Sequence, residues 1–327
     1  MPPWIANQLR ALLAQRGHAW LLQGPPGLGQ FDLALALARA WLCDAPTPAG
    51  ACNHCPSCHA IDVHAHNDFA LLMPETEMIE RGWPLPEKAQ SDIDDKKRKP
   101  SKDIRVDAMR ETIEFAQRTS ARGRGLAVLI YPAERMNHVT ANALLKTLEE
   151  PPGDMRFVLA TGAAHLLLPT IRSRCLTHTM TWPAEKDALP WLADCGVPAS
   201  DAQALLRAAG GRPADALALA AVKDSARQWA ALPRALAAGN AAALAGLPLP
   251  DAVARLQKLC HDLMALQTGA APRFFAAADL PRRPLSMPAL TRWWTQLAQT
   301  ARNAEHPLNP GLATEFLAST ARQALNS

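Results

Sequence analysis

Gly24-Pro25-Pro26-Gly27-Leu28-Gly29-Gln30-Phe31 lies between a short apolar run, His18–Gln23, and a segment rich in Leu and Ala, Phe31–Leu42. A glycine-rich turn leading from a strand into a helix is the place of a phosphate-binding loop, G-x-x-x-x-G-K-[ST]. The Gly24-to-Gly29 spacing fits that form, and backbone N–H groups at the start of a helix favour an anion. Two side chains depart from it. Gln30 stands where a lysine would reach the β- and γ-phosphates, and Phe31 where a hydroxyl would hold Mg²⁺. Each missing charge-assisted hydrogen bond weakens binding by ~1.5–3 kcal/mol, so a loop at Gly24, Gly27 and Gly29 is expected to stay empty of Mg·ATP. A second apolar run, Ala127-Val128-Leu129-Ile130, would have to end in carboxylates for metal and water. It runs instead into Tyr131-Pro132, with Glu134 displaced. The expectation is a nucleotide-type fold that neither hydrolyses ATP nor binds it firmly.

Outward from that loop the first half alternates strand and helix patterns. Strands are expected at His18–Gln23, Phe69–Met73, Leu126–Tyr131, Met155–Thr161 and Cys175–Trp182. Helices are expected at Phe31–Leu42, Val106–Arg118 (Met109, Ile113 and Ala116 on one face) and Val139–Glu150 (Leu144, Leu145 and Leu148 inward), the last stopped by Pro151-Pro152. Buried strands alternating with helices give an α/β fold, a parallel sheet covered on both faces. After Trp182 the strand signal ends. Asp201–Ala209 and Pro213–Val222 read as a small helical unit broken at Gly210-Gly211. Beyond it everything reads as helices split by Pro, with Val253, Leu256, Cys260, Leu263 and Leu266 at helical spacing in Asp251–Gln267. Three domains follow: 1–182 α/β, 183–222 helical and 223–327 helical. Glu75–Asp103 fits neither pattern. With Trp83-Pro84-Leu85-Pro86 and Lys96-Lys97-Arg98-Lys99 it reads as a long insertion, either a solvated loop or a basic loop facing DNA.

Composition sets the class. The 327 residues hold 49% apolar and 20% charged side chains, with 28 Pro, 17 Gly and one Tyr, enough apolar material for more than one core. The net charge of +4 and sequence pI of about 8.7 are too mild to establish nucleic-acid contact. The lack of an ~18-residue apolar run, and of a basic stretch followed by an apolar core after Met1-Pro2-Pro3-Trp4-Ile5, point to a soluble cytoplasmic protein.

Seven cysteines include Cys43-x8-Cys52-x2-Cys55-x2-Cys58. Four thiolates within sixteen residues suit a tetrahedral Zn²⁺, and Pro46, Pro48, Gly50 and Pro56 supply the turns that let neighbours chelate. With all four positions filled the site is structural rather than catalytic. Two other readings are a histidine, His54 or His59, in place of one cysteine, and cysteines that are free or disulfide-linked. Cys175, Cys195 and Cys260 lie in apolar patterns and are expected in cores.

These segments together resemble the bacterial clamp-loader branch of the AAA+ family. Asn142-Ala143-Leu144-Leu145-Lys146-Thr147-Leu148-Glu149-Glu150-Pro151-Pro152 is similar to the stretch that follows the second ATPase motif in that branch. Ser173-Arg174-Cys175 looks like its "SRC" motif, and the four cysteines look like its inserted zinc module. Ile104–Arg110 is similar to the segment before the sensor helix, and His306-Pro307-Leu308-Asn309-Pro310 to a motif in the family's collar. The likeness covers residues 1–220 well and the rest loosely.

The resemblance implies an AAA+ P-loop-type domain with an inserted zinc module, a helical lid (183–222) and an all-helical collar (223–327). It implies a place in the DNA polymerase III holoenzyme, a nucleotidyltransferase complex. There a ring with gamma or tau and delta subunits as partners opens the sliding clamp and loads it on primer-template DNA. In that family the SRC arginine reaches the ATP site of the adjacent subunit, so Arg174 becomes the residue acting in trans, with Ser173 and Cys175 shaping its turn. Thr161 lies near the family's sensor position. Ala214 stands where ATP-using subunits carry a sensing arginine, with Arg212 two positions away, which agrees with a degenerate loop. Two alternatives remain: an active ATPase of the gamma type, which would need a lysine at 30, a hydroxyl at 31 and acids near 131–132, and a zinc-containing DNA-binding regulatory protein. Against the second, Cys43–Cys58 contains no Lys or Arg to neutralise phosphates.

Overall fold

The structure, a computed structural model, describes residues 1–303 and 309–327; of the His306–Pro310 stretch, His306-Pro307-Leu308 lie outside the described residues. The chain forms two compact units, Met1–Trp182 and Pro183–Ser327.

In the first unit the order is α1 (Pro3–Leu13), β1 (Ala19–Gln23), α2 (Gln30–Leu42), α3 (Pro56–Asp62), β2 (Phe69–Leu72), α4 (Glu75–Glu80) and α5 (Glu87–Asp94). Then come α6 (Val106–Ala116), β3 (Leu126–Ile130), α7 (His138–Glu149), β4 (Met155–Thr161), α8 (Pro169–Arg172) and β5 (Leu176–Thr179). The five strands are parallel, in the order β2-β3-β4-β1-β5. Strands buried on both faces read as continuous apolar runs because alternate residues meet different helix layers. One layer, built by Leu21, Val128, Ile130, Phe157 and Leu159, packs against Met109 of α6 and Leu144 and Leu148 of α7. The other face carries α2, on which α1 lies. The loop after β1 therefore opens at the C-terminal end of a strand set between β4 and β5, a crossover point where parallel sheets bind ligands.

Two expectations are corrected here. Glu75–Asp103 is not a featureless insertion, since it folds into α4 and α5. Each helix follows a proline, Pro74 and Pro86, and carries acidic residues in its first turn. Prolines read as breakers are in fact starts, where a missing N–H costs nothing and a carboxylate favours the dipole. Cys195 is exposed: it terminates a helix just before Gly196, which turns at φ 87°, so the apolar pattern around it never reaches the core. Cys260 is buried and Cys175 half-buried.

The second unit is helical: α9 (Glu185–Asp194), α10 (Ala199–Ala208), α11 (Pro213–Ala220), α12 (Ser225–Ala237), α13 (Leu249–Gln267), α14 (Met287–Arg302) and α15 (Pro310–Leu325). Ala188, Leu192, Leu205 and Ala216 of α9–α11 share one core. Trp229, Leu256, Cys260, Leu263, Trp293 and Leu317 of α12–α15 belong to another. Asp262, fully buried, accepts hydrogen bonds from the backbone N–H groups of Arg273, Phe274 and Phe275 (2.7–2.9 Å) and so fixes the loop after α13.

Candidate functional site

Gly27 and Gly29 adopt φ of 86° and 87°, the left-handed conformation that glycine takes without strain. They bend the chain from β1 into α2 and leave the first N–H groups of α2 without a side-chain cap. Gln30 occupies this bend. It is buried, and its Nε2 donates to Gly24 O at 2.9 Å and Pro25 O at 2.7 Å. A lysine at this position would point its ammonium at a phosphate, whereas the glutamine amide ties the loop to itself. Two such bonds contribute ~1 kcal/mol each. Gly24 N–H in turn donates to Thr161 O at the end of β4 (3.3 Å).

Phe31 and Tyr131, which stand where the phosphate-loop pattern calls for a hydroxyl and for acids, meet with ring centroids 5.4 Å apart. Arg81, which follows the last residue of α4, lies against both rings. Its guanidinium carbon lies 4.5 Å from the Phe31 centroid and 4.9 Å from that of Tyr131. Its Nη2 donates to Tyr131 Oη at 3.3 Å and its Nε pairs with Glu77 at 3.2 Å. Burial pushes the Tyr131 hydroxyl and the Asp32 carboxyl upward in pKa, with Arg81 opposing both. Glu134 accepts from Thr161 Oγ1 at 2.7 Å and from the Gly162 N–H at 3.0 Å, so it ties the end of β4 to the turn after β3.

The four cysteines form a group. Cys43 ends α2, Cys55 caps α3 and Cys58 lies in it. Sγ–Sγ distances are 3.8 Å (Cys43–Cys55), 3.8 Å (Cys43–Cys58) and 4.0 Å (Cys52–Cys58). Ligands at the ~2.3 Å Zn–S distance of a tetrahedral site lie about 3.8 Å apart. The spacing fits a tetrahedral metal ion, and all four sulfurs lie within 4.8 Å of one another. The N–H groups of Cys52 and Cys58 point at Cys43 Sγ (3.3 Å) and Cys55 Sγ (3.4 Å), which stabilises thiolate charge. All seven cysteines are free of disulfides, and neither His54 nor His59 joins the group. Ser57, between Cys55 and Cys58, donates to Leu42 O (2.6 Å) and meets His66 Nε2 (2.8 Å). His66 Nδ1 in turn accepts from the N–H of Asp68 (3.1 Å). Burial lowers the His66 pKa. Asp68 carries the chain on to residues 120–122 through three hydrogen bonds of 2.7–3.0 Å.

Arg174 lies in the turn between α8 and β5. Nη1 donates to Thr170 O at 3.0 Å and Nη2 to Glu149 Oε2 at 2.9 Å. Ser173 Oγ donates to Thr170 O, and burial pushes the Cys175 thiol up to about 12. Of Lys96-Lys97-Arg98-Lys99, Arg98 turns inward. It grips Glu75 bidentately (2.5 and 2.7 Å) and holds that carboxyl below the usual range. Sequence reasoning did not find Arg81, because nothing local distinguishes one arginine after Glu80. The signal that existed was Phe31, an aromatic where chemistry wanted a hydroxyl and so in need of a filler.

A five-stranded parallel sheet with a phosphate-loop position after β1 places the first unit in the P-loop class of α/β folds, and the second unit is helical. The chain belongs to the family described as DNA polymerase III, delta subunit, whose model matches residues 5–183. It is similar to the delta prime subunit of DNA polymerase III from Pseudomonas aeruginosa, 38% identical over 202 residues, 61% of this chain and 55% of that one. It is also similar to the delta prime subunit of Escherichia coli K12, 35% identical over 223 residues, 66% and 60%. The match thus spans little more than half the length of these relatives. Among solved structures, a DNA polymerase III gamma subunit-related protein from Thermotoga maritima covers 98% of this chain and 99% of its own, at 17% identity and a TM-score of 0.49. No helix among the described residues is long and apolar enough to cross a membrane.

Proposed function

We propose that this chain is a non-catalytic AAA+ subunit of the DNA polymerase III clamp loader. It would supply Arg174 in trans to a neighbouring ATPase subunit while the sliding clamp is loaded on primed DNA. The observation that carries the first half is the Gln30 amide, bonded to Gly24 O and Pro25 O inside the loop that would cradle phosphates. Arg81 over Phe31 and Tyr131 supports it from the metal side. The second half rests on Arg174 in its Ser-Arg-Cys turn. A guanidinium aimed at a transferring γ-phosphate is worth 10³–10⁵ in rate in phosphoryl-transfer systems. Gamma or tau and delta subunits are the proposed ring partners, with clamp and DNA met by the assembled ring. Within the second unit, 183–222 is proposed as the lid and 223–327 as the collar. Cys43, Cys52, Cys55 and Cys58 would hold a structural Zn²⁺, since all four positions are protein sulfur and none is left for a substrate.

Two measurements test this reading. A fluorescent ATP analogue titrated with Mg²⁺ to millimolar concentration is expected not to bind the purified chain. Submicromolar affinity would restore the active-ATPase alternative. In a reconstituted ring, Arg174→Ala is expected to leave assembly intact and cut the DNA- and clamp-stimulated ATPase by at least tenfold. Unchanged ATPase would end the in-trans assignment.

A further inference from the structure

Arg174 spends two of its three nitrogens inside its own chain. Nη1 is held by Thr170 O and Nη2 by Glu149, while Nε is buried without a hydrogen-bond partner. Glu149 is the last residue of α7, and its side chain is 56% exposed against 30% for Arg174. An ion pair at such exposure is weak, and a buried N–H left unpaired disfavours the conformation that buries it. The observed arrangement is therefore lightly held on the carboxylate side and penalised on the Nε side. A guanidinium in that position readily trades its carboxylate for an anion with more charge and more acceptor oxygens, and a phosphate has both.

We propose that Glu149 is the resting partner of Arg174, an internal anion that holds the guanidinium until the terminal phosphate of a nucleoside triphosphate on a neighbouring subunit displaces it. The inference rests on the in-trans role proposed for Arg174 and adds a competitor to it. Glu149 and the phosphate seek the same guanidinium N–H groups, so the carboxylate opposes nucleotide binding at that interface. The opposition is small, about fivefold at most, the ceiling for an exposed pair.

The test uses the full-length chain in a reconstituted clamp loader and steady-state ATPase as a function of ATP concentration. Glu149→Gln keeps the size of the side chain and removes its charge. Its expected effect is a two- to fivefold fall in the KM for ATP at unchanged kcat, absent when Arg174→Ala is also present. A rise in KM, or a fall in kcat, would make Glu149 a positioning residue and overturn the exchange. Unchanged KM and kcat, with Arg174→Ala still damaging the ring, would overturn the exchange and leave the in-trans arginine standing. If Arg174→Ala alone changes nothing, the underlying reading fails and takes the exchange with it.

Discussion

Arg81 brings a fixed positive charge to the place where an active loop would gather a hydroxyl and carboxylates around a metal ion. Stacked over Phe31 and Tyr131 and paired with Glu77, it gains from both ring faces, each worth about 0.5–2 kcal/mol depending on how dry the site is. Arg81→Ala is therefore expected to lower the melting temperature of the first unit by several degrees, followed by circular dichroism, without creating Mg·ATP binding. Arg81→Lys should recover less than half of the loss, because an ammonium lacks the flat face with which a guanidinium stacks on an aromatic ring. A neutral Arg81→Ala would mean that the rings hold themselves. The departures at Gln30 and Phe31 were legible in the sequence because the motif assigns each position a charge or a hydroxyl. What filled the space was not, because Arg81 arrives from fifty residues downstream and by a helix that local pattern did not reveal.

At the scale of elements, the strands of the sheet were legible in the sequence and several helices of the first unit were not. Met155–Thr161 matches its expected strand to the residue, since β-branched and apolar residues run almost uninterrupted between polar turns. α1, α3, α4 and α5 lie outside the expected helices. Each begins at or beside a proline, and the weight given to proline as a breaker hid its use as a start. β5 is four residues rather than eight; it is an edge strand paired on one side only, and three of its four residues are the polar Thr177, His178 and Thr179. In the second unit Lys258 of α13 donates to Ala208 O at the end of α10 (2.6 Å) and lies 5.6 Å from the rings of Trp229 and Phe274. Burial chiefly, then Arg212, pulls its pKa down to about 8 from the usual 10.5, against Asp215. A lysine whose folded pKa is lowered is charged in the unfolded chain and neutral in the folded one between those values. Stability of the second unit therefore rises with pH from about 8 to about 10.5. Urea titrations across that window are expected to show the rise, and Lys258→Met to abolish it. An equal rise in the variant would assign it to other groups.

The whole molecule is two compact units with separate apolar cores, so thermal unfolding is not expected to be a single two-state event. The four sulfurs join the end of α2 to α3 within the first unit alone, and a metal bound there stabilises only the state that assembles the site. Stripping the metal with a strong chelator is thus expected to lower the calorimetric transition of the first unit by several degrees and leave that of the second in place. A first transition that does not move would show the cysteine group to be structurally idle. The Cys43–Cys58 cluster was the part of the site most legible in the sequence, because two x2 spacings constrain where sulfur can go. Its attachment was not legible: the path Ser57–His66–Asp68 to residues 120–122 joins segments whose closeness only the folded sheet creates.

A loop that binds and releases a nucleotide has two shapes, and whatever leans on it feels the alternation. Here the Gln30 amide donates to Gly24 O and Pro25 O, ligands that the loop's own chain supplies. A ligand shifts an equilibrium only where two states differ in their affinity for it. On the role proposed above, this chain would offer its neighbours a face that reads the same at every nucleotide level, a fixed datum against which moving parts can be timed.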